Sequence, residues 1–301
     1  MTPRVLIIGE NGQVAQALAR TYSARGTVVA AAGRSKVDIT DRNSVLAAVS
    51  QFHPDLVINA AAYTAVDKAE DDADQAFLVN RDGARHVAAA ARAAAAPLIH
   101  ISTDYVFDGA KTSPYVETDE PGPLGVYGHS KLAGEMAVAA ETNDHVIVRT
   151  SWVCSPDGHN FVKTMLRLAA ERDEVKVVDD QWGAPTFAAD LAVAIAAVGD
   201  RLIEKADRST LCGTYHATGS GETTWCRFAS AIMEWSAAKR GRACRVHAIS
   251  TSEYPTRARR PQNSRLDCSK LDRVFAIRLP MWRKSLETCL EQLFELQGSP
   301  T

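Results

Sequence analysis

Through the first half of the chain, short apolar runs alternate with longer stretches whose apolar positions recur at helical spacing. The runs occupy residues 5–8 (Val-Leu-Ile-Ile), 28–31, 56–58, 98–101 and 146–148, and none shows the strict polar–apolar alternation of a strand with one wet face. They predict strands buried on both sides. Residues 14–23, 44–51, 74–94 and 130–141 lie between or after them and predict helices. A parallel crossover needs a helix-length connection, and that helix must cover the sheet, so this order implies a parallel sheet with helices on both faces. The expected fold class is α/β: a doubly wound, Rossmann-like sheet whose ligands sit at the carboxyl ends of its strands.

Beyond Arg149 the pattern loosens. Residues 160–171 and 188–198 read as helices and 175–178 as a strand, and the last third is rich in Gly, Thr, Pro and Arg. We expect one main unit over residues 1–150 and a smaller C-terminal one over 151–301, built partly from insertions, with segments returning to the first. With 46% hydrophobic and 23% charged positions, the chain has the composition of a packed globular protein. A net charge of -2 leaves no basic excess to neutralise a nucleic-acid backbone or hold an anionic membrane, so neither partner is expected. Six cysteines (Cys154, Cys212, Cys226, Cys244, Cys268, Cys289) are scattered without a C-x-x-C pair or a His at zinc-finger spacing, which predicts free thiols in a reducing compartment and no metal site. The first apolar run stops at Gly9, too short for the core of a signal peptide, and the Ala-rich stretch at 87–96 carries Arg92 and ends at Pro97, too short to span a bilayer. A cytoplasmic location is expected.

The first strand runs into Gly9-Glu10-Asn11-Gly12-Gln13-Val14-Ala15, a G-x-x-G-x-x-A loop that opens a helix. One glycine permits the tight turn, another lets backbone N–H groups approach a pyrophosphate at the positive helix terminus, and a small third residue lets helix and strand pack closely. An ordinary βα turn can carry the same residues; their place after the first strand favours a dinucleotide. At the end of the second strand, Gly33-Arg34-Ser35 stands where an acidic residue would bond an adenosine 2′-hydroxyl. Arg34 can meet a 2′-phosphate there, or simply face water. The third strand ends in Asn59-Ala60-Ala61-Ala62-Tyr63-Thr64, small side chains that make room for a ligand.

Strand four ends in Ser102-Thr103-Asp104-Tyr105, and Tyr127-Gly128-His129-Ser130-Lys131 opens a later helix. Tyr127 and Lys131, four residues apart, share a helix face. A phenol is a poor acid at neutral pH, with a reference pKa of about 10. A lysine ammonium beside it favours the phenolate and lowers that value. Such a pair suits donation of a proton to a carbonyl oxygen whose carbon receives a hydride. Surface helices produce Y-x-x-x-K by chance, but after a series of βα units and a hydroxyl-bearing strand end it points to a reductase.

The words around these motifs resemble the dTDP-4-dehydrorhamnose reductase family of the extended short-chain dehydrogenase/reductase superfamily. They are N-A-A-A-Y-T-A-V-D-K-A-E at residues 59–70, S-T-D-Y-V-F-D-G at 102–109, Y-G-H-S-K-L-A-G-E at 127–135, R-T-S-W-V at 149–153, N-F-V-K-T-M-L at 160–166, D-Q-W-G-A-P-T at 180–186 and R-P-Q-N-S-R-L at 260–266. The likeness covers nearly the whole chain. It implies reduction of the C4 ketone of dTDP-4-dehydro-L-rhamnose to dTDP-L-rhamnose, with NADPH preferred on account of Arg34 and NADH as the alternative. Position by position, it implies that Tyr127 protonates the C4 oxygen, Lys131 holds the nicotinamide ribose and depresses the Tyr127 pKa, and Thr103 bonds the reacting oxygen. Asp104 and Trp152 would contact the dTDP-sugar, and Arg260 and Arg265 carry charge suited to its diphosphate or face water as a solvated loop. Gly9, Asn11, Gly12, Gln13, Val14, Arg34, Asp38, Ile39, Ala62, Tyr63 and Thr64 would line the cofactor. His129 stands where the family often has lysine, on another helix face. Ala17 occupies a position that carries a carboxylate in members with a magnesium-bridged dimer, so a monomer or a metal-independent homodimer is expected. Two other readings stay open: a non-enzymatic subunit like the regulatory subunit of methionine adenosyltransferase, and a reductase of another nucleotide sugar.

Overall fold

Each apolar run of the first half forms a strand, and those at 5–8, 56–58 and 146–148 are apolar throughout because both faces are covered. The run at 98–101 buries His100 among its apolar residues, and the run at 28–31, expected to be buried, lies at the sheet edge half-buried with Val28 exposed. In β1 (Arg4–Ile8), Val5 and Ile7 enter one core while Leu6 and Ile8 enter another. The computed structural model describes residues 2–240 and 243–298. After β1 come α1 (Gln13–Ala24), β2 (Val28–Ala32), α2 (Arg42–Phe52), β3 (Leu56–Asn59), α3 (Val66–Ala69), α4 (Ala73–Phe77), α5 (Ala84–Ala93), β4 (Leu98–Thr103), α6 (Val126–Glu141) and β5 (His145–Thr150). The second half adds β6 (Val153–Cys154), α7 (Phe161–Glu171), β7 (Glu174–Val178), β8 (Trp182–Gly183), β9 (Thr186–Phe187), α8 (Ala188–Glu204), β10 (Gly213–His216), β11 (Thr223–Thr224), α9 (Trp225–Arg240), β12 (Arg245–Ile249), α10 (Ser269–Phe275) and α11 (Trp282–Gly298).

The main sheet has six parallel strands in the order β10-β5-β4-β3-β1-β2. The chain winds from β1 outward to β2 and then returns to β3 on the other side, which places a switch point, and hence a ligand crevice, at the carboxyl ends of β1 and β3. On one face α1, α8 and α10 supply Leu18, Tyr22, Leu191, Ile195 and Phe275; on the other, α2, α5 and α6 supply Val45, Val49, Val87 and Val138. Truncating a leucine or isoleucine among these, Leu18→Ala for instance, would cost about 2–5 kcal/mol through lost burial and the cavity left behind. A third core, with Val162 of α7, Phe228 and Ile232 of α9 and Trp282 and Leu290 of α11, lies wholly in the second half. Among the described residues no helix is long and apolar enough to cross a membrane.

The structure departs from the sequence expectation in two places. Residues 74–94 do not form one regular helix: a π-helical segment, Leu78–Gly83, separates α4 from α5. The buried Asn80 side chain there bonds Tyr63 and Ser130, and tertiary bonds of that kind hold the widened turn open. The last third, which offered no elements to the sequence reading, holds β10, α9, β12, α10 and α11. Of these, β10 leaves the second half to pair with β5, Thr214 opposite Ile147, and completes the main sheet.

Candidate active site

At the end of β1 the backbone turns at Gly9 with φ 118°, a left-handed conformation that a side chain would strain. A Cβ there would also crowd Ala60 and Ala61 at 3.1 to 3.3 Å. Gly12 caps α1 without a side-chain bond, and the first turn carries no acidic residue. A Cβ at Gly12 would meet nothing within 4 Å. The terminus therefore offers unpaired N–H groups and a positive dipole end to an outside anion, with open room to approach, and these residues fit a pyrophosphate. Asn11 is exposed and its carbonyl accepts from Gln16 Nε2. Val14 packs against the sheet core. Gln13 is a tether: its Oε1 accepts from Ser155 Oγ at 3.0 Å and Asn160 Nδ2 at 2.9 Å, and its Nε2 donates to the Val153 carbonyl at 3.4 Å, so its side chain is bonded to the second half.

Beside this loop lies a cavity of about 330 Å³ whose wall includes Arg34, Asp38, Ile39, Ala62 and Tyr63. Asp38 Oδ1 accepts from the Thr40 backbone and hydroxyl at 2.9 and 2.8 Å, which hold the carboxyl below its ordinary range. Arg34 is exposed. Thr64 is exposed and stands outside this wall.

The chemistry-bearing residues gather where β4 ends. Thr103 closes that strand and Asp104 opens a single 3-10 turn. Val126 N, at the start of α6, donates to Glu70 Oε1 at 2.9 Å, which fixes the helix end that carries Tyr127. Gly134 lets the same helix rest against the Asn80 carbonyl, where a Cβ would collide. Asn80, which the sequence reading passed over, joins the two parts of the site: its amide bonds Tyr63 N and O and donates to Ser130 Oγ at 2.9 Å, and Ser130 donates to the Tyr127 carbonyl at 2.8 Å. Asn80 and Gly83, two poor helix formers inside an otherwise helical stretch, were the signal for it.

Electrostatics at this end are set by burial. Lys131 is 2% exposed and donates to the Ile101 carbonyl at 2.7 Å; burial pulls its pKa down to about 8. Burial raises the Tyr127 phenol, opposed by a hydrogen bond with Thr103. Lys131, which the sequence reading gave the task of lowering the phenol's pKa, directs its ammonium at the Ile101 carbonyl. Thr103 Oγ1 donates its one proton to Asp104 Oδ1 at 3.0 Å. Asp104 is buried with Oδ2 unpartnered, and burial pushes its carboxyl up to about 6.

A larger cavity, about 880 Å³, opens on the second half, with Asp67, Tyr105, Phe161, Trp225, Tyr254 and Arg260 in its wall. Arg260 spans it, donating to Tyr105 OH at 3.0 Å and to Asp67 Oδ2 at 2.6 Å. The Tyr105 ring meets Tyr127 edge-on at 5.6 Å, so this cavity adjoins Tyr127. Trp152, held at φ 48°, stacks on Trp225 with ring centroids 3.5 Å apart. Trp225, not singled out from the sequence, is the member of that pair on the cavity wall. Arg265 is committed elsewhere, to Asn263, Glu222 and the Thr112 carbonyl. Ala17 is buried in the core that α1 shares with α8. His129 is exposed, away from the buried Lys131.

Comparison with known proteins gives concordant results. A family model described as RmlD substrate binding domain matches residues 3–295. A dTDP-4-dehydrorhamnose reductase of Sinorhizobium fredii is 48% identical over 282 residues, covering 94% of this chain and 95% of the relative. One from Escherichia coli is 42% identical over 296 residues, 96% of this chain and 98% of the relative. The crystal structure of a Bacillus anthracis dTDP-4-dehydrorhamnose reductase in complex with NADP superposes with a TM-score of 0.89 at 38% identity, covering 97% of this chain and 100% of that one.

Proposed function

The chain belongs to the RmlD substrate binding domain family, that of the dTDP-4-dehydrorhamnose reductases, and from this we propose that it reduces the C4 ketone of dTDP-4-dehydro-L-rhamnose to dTDP-L-rhamnose with NADPH. The dinucleotide supplies the hydride when bound; this chain supplies orientation, a proton and a water-poor setting. The uncapped terminus of α1, with Gly9, Asn11, Gly12, Gln13 and Val14, holds the pyrophosphate. Arg34, Asp38 and Ile39 take the adenosine end, and Ala62, Tyr63 and Thr64 continue the path towards α6. Lys131 holds the nicotinamide ribose. As the carbonyl carbon gains a hydride its oxygen gains negative charge, and the phenol of Tyr127 gives that oxygen its proton while Thr103 bonds it.

Residues 1–150 act mainly as the dinucleotide-binding unit and 151–301 mainly as the sugar-nucleotide unit, with β10 returning to the first. Asp104 and Arg260 face the sugar nucleotide, Arg260 through a charge-assisted bond to its diphosphate. Trp152 acts from behind Trp225. The chain works in the cytoplasm as a monomer or a metal-independent dimer. The observation that carries this reading is the group Tyr127–Thr103–Asp104 at the carboxyl end of β4, with Thr103 and Asp104 buried and Tyr127 half-buried, adjoining the large cavity. The test is loss of NADPH absorbance on adding dTDP-4-dehydro-L-rhamnose to the purified protein. A folded protein without turnover overturns the reading in favour of a non-catalytic role, and turnover of another nucleotide sugar alone overturns the substrate assignment.

A further inference from the structure

One helical turn beyond Lys131 on α6, Glu135 is 4% exposed, and its partner Arg149 on β5 is 5% exposed. Arg149 Nε donates to Glu135 Oε1 and Oε2 at 2.9 and 3.2 Å, and Nη2 donates to Oε2 at 2.6 Å. Arg149 Nη1 is buried with no partner. Burying such a pair removes two ions from water, and apolar residues of similar volume are often as stable or more so. The stranded donor adds a further penalty. Stability alone therefore does not account for this pair.

Lys131 supplies the missing reason. Its ammonium is as dry as the pair, and its hydrogen bond goes to a neutral carbonyl. A lone buried ammonium tends to shed its proton. The titratable and charged groups around it are Tyr127 and Glu135 on its own helix, His100 on β4, Asp104 after β4, Arg149 on β5 and, behind Arg149, His216 on β10. Burial keeps both histidines neutral at physiological pH, and Asp104 acts on Tyr127. Glu135 is the carboxylate that favours the charged form of Lys131.

We propose that Glu135, held in place by Arg149, is a positioning residue whose carboxylate keeps Lys131 an ammonium beneath the reaction site. The inference rests on the reading of Tyr127 and Lys131 as the reaction pair. Its test is a titration of Lys131 in the full chain, by NMR of ¹³C-labelled lysine ε-carbons, with the signal assigned by Lys131→Met. In the unaltered protein Lys131 titrates near the value of about 8 that its surroundings set. In Glu135→Leu/Arg149→Met, which removes the pair without stranding a charge, the midpoint falls by about one pH unit or more, ten-fold in proton affinity. The alkaline fall of kcat moves down with it, while KM for the sugar nucleotide changes less than about two-fold, a split that loss of packing would not give. An unchanged Lys131 midpoint in the folded double variant overturns the proposal. If the double variant does not fold, the unaltered protein decides: a midpoint below about 7 means that Glu135 does not hold the charge. Tyr127→Phe measured alongside separates the two ideas, because retained turnover there overturns the reaction-pair reading while the Lys131 titration still reports on Glu135.

Discussion

The two ends of the ligand crevice are built on opposite principles. Around β1 and β2 the charges stand in water: Arg34 is exposed, and Lys36 pairs with Glu10 at 3.0 Å while remaining largely solvated. Around β4 and α6, Thr103, Asp104 and Lys131 are buried, and Ser102 Oγ, Asp104 Oδ2 and His100 Nε2 have no partner. Exposed charges contribute little each, and salt screens them. In a dry site the protonation state of each group is itself at stake, and neighbours act as a unit. One end therefore tunes affinity in small steps, and the other decides whether the reaction proceeds.

The largest effect should come from the dry end. Tyr127→Phe removes the proton donor and keeps the ring, so turnover should fall by about 10²- to 10⁴-fold with cofactor binding little changed. Near-native turnover in a steady-state assay would remove Tyr127 from the mechanism. Lys131→Met should lower kcat by about 10²-fold and also weaken NADPH binding measured by calorimetry; an effect on neither quantity would sink its assignment.

Asp104→Asn sharpens the contrast from the side of stability. Burial raises this carboxyl from 3.8 in the unfolded chain to about 6 in the fold, so the folded state holds the proton more tightly. Stability is therefore lost as pH rises from about 4 to about 6, and the full penalty, about 3 kcal/mol, is present above that window. The variant should be more stable by roughly that amount at neutral pH, no more stable at pH 4, and slower in turnover. Urea melts at the two pH values check this; an equal stability difference at both would mean that Asp104 is solvated.

The smallest effect belongs to the wet end. Arg34→Ala should lower kcat/KM for NADPH by about ten-fold and spare NADH, and added salt should shrink that gap. A loss as deep as that of Tyr127→Phe would break the comparison, and equal use of the two cofactors by the unaltered protein would reduce Arg34 to a surface residue.

The first half was legible because a strand covered on both faces must be apolar at almost every position, and Val5 to Ile8 divide between two cores as that rule requires. The placing of Tyr127 and Lys131 on one face of α6 was legible because helical spacing alone brings them together. The links across the fold were not. Asp67 and Arg260 lie 193 positions apart and meet only through tertiary packing. Asn80 acts from a π-helical segment, which helical periodicity conceals. In α11 the stripe Leu286, Cys289, Leu290 and Leu293 has ordinary amphipathic spacing and was readable, but the surrounding Gly, Pro and Arg content drew attention to loops instead. Charge states were least legible of all: burial raises the Tyr127 phenol and lowers the Lys131 ammonium, and how dry each group is depends on the folded chain.

The return of β10 to the main sheet has a consequence for the making of the protein. Elongation adds about 5–20 residues per second. For several seconds after β5 has been synthesised, its far edge has no partner, because Gly213–His216 does not yet exist. Over the same interval Leu18 and Tyr22 of α1 lack α8, the helix that covers them. An open strand edge beside an uncovered apolar stripe is prone to aggregate. A fragment ending near residue 150 would carry both defects permanently.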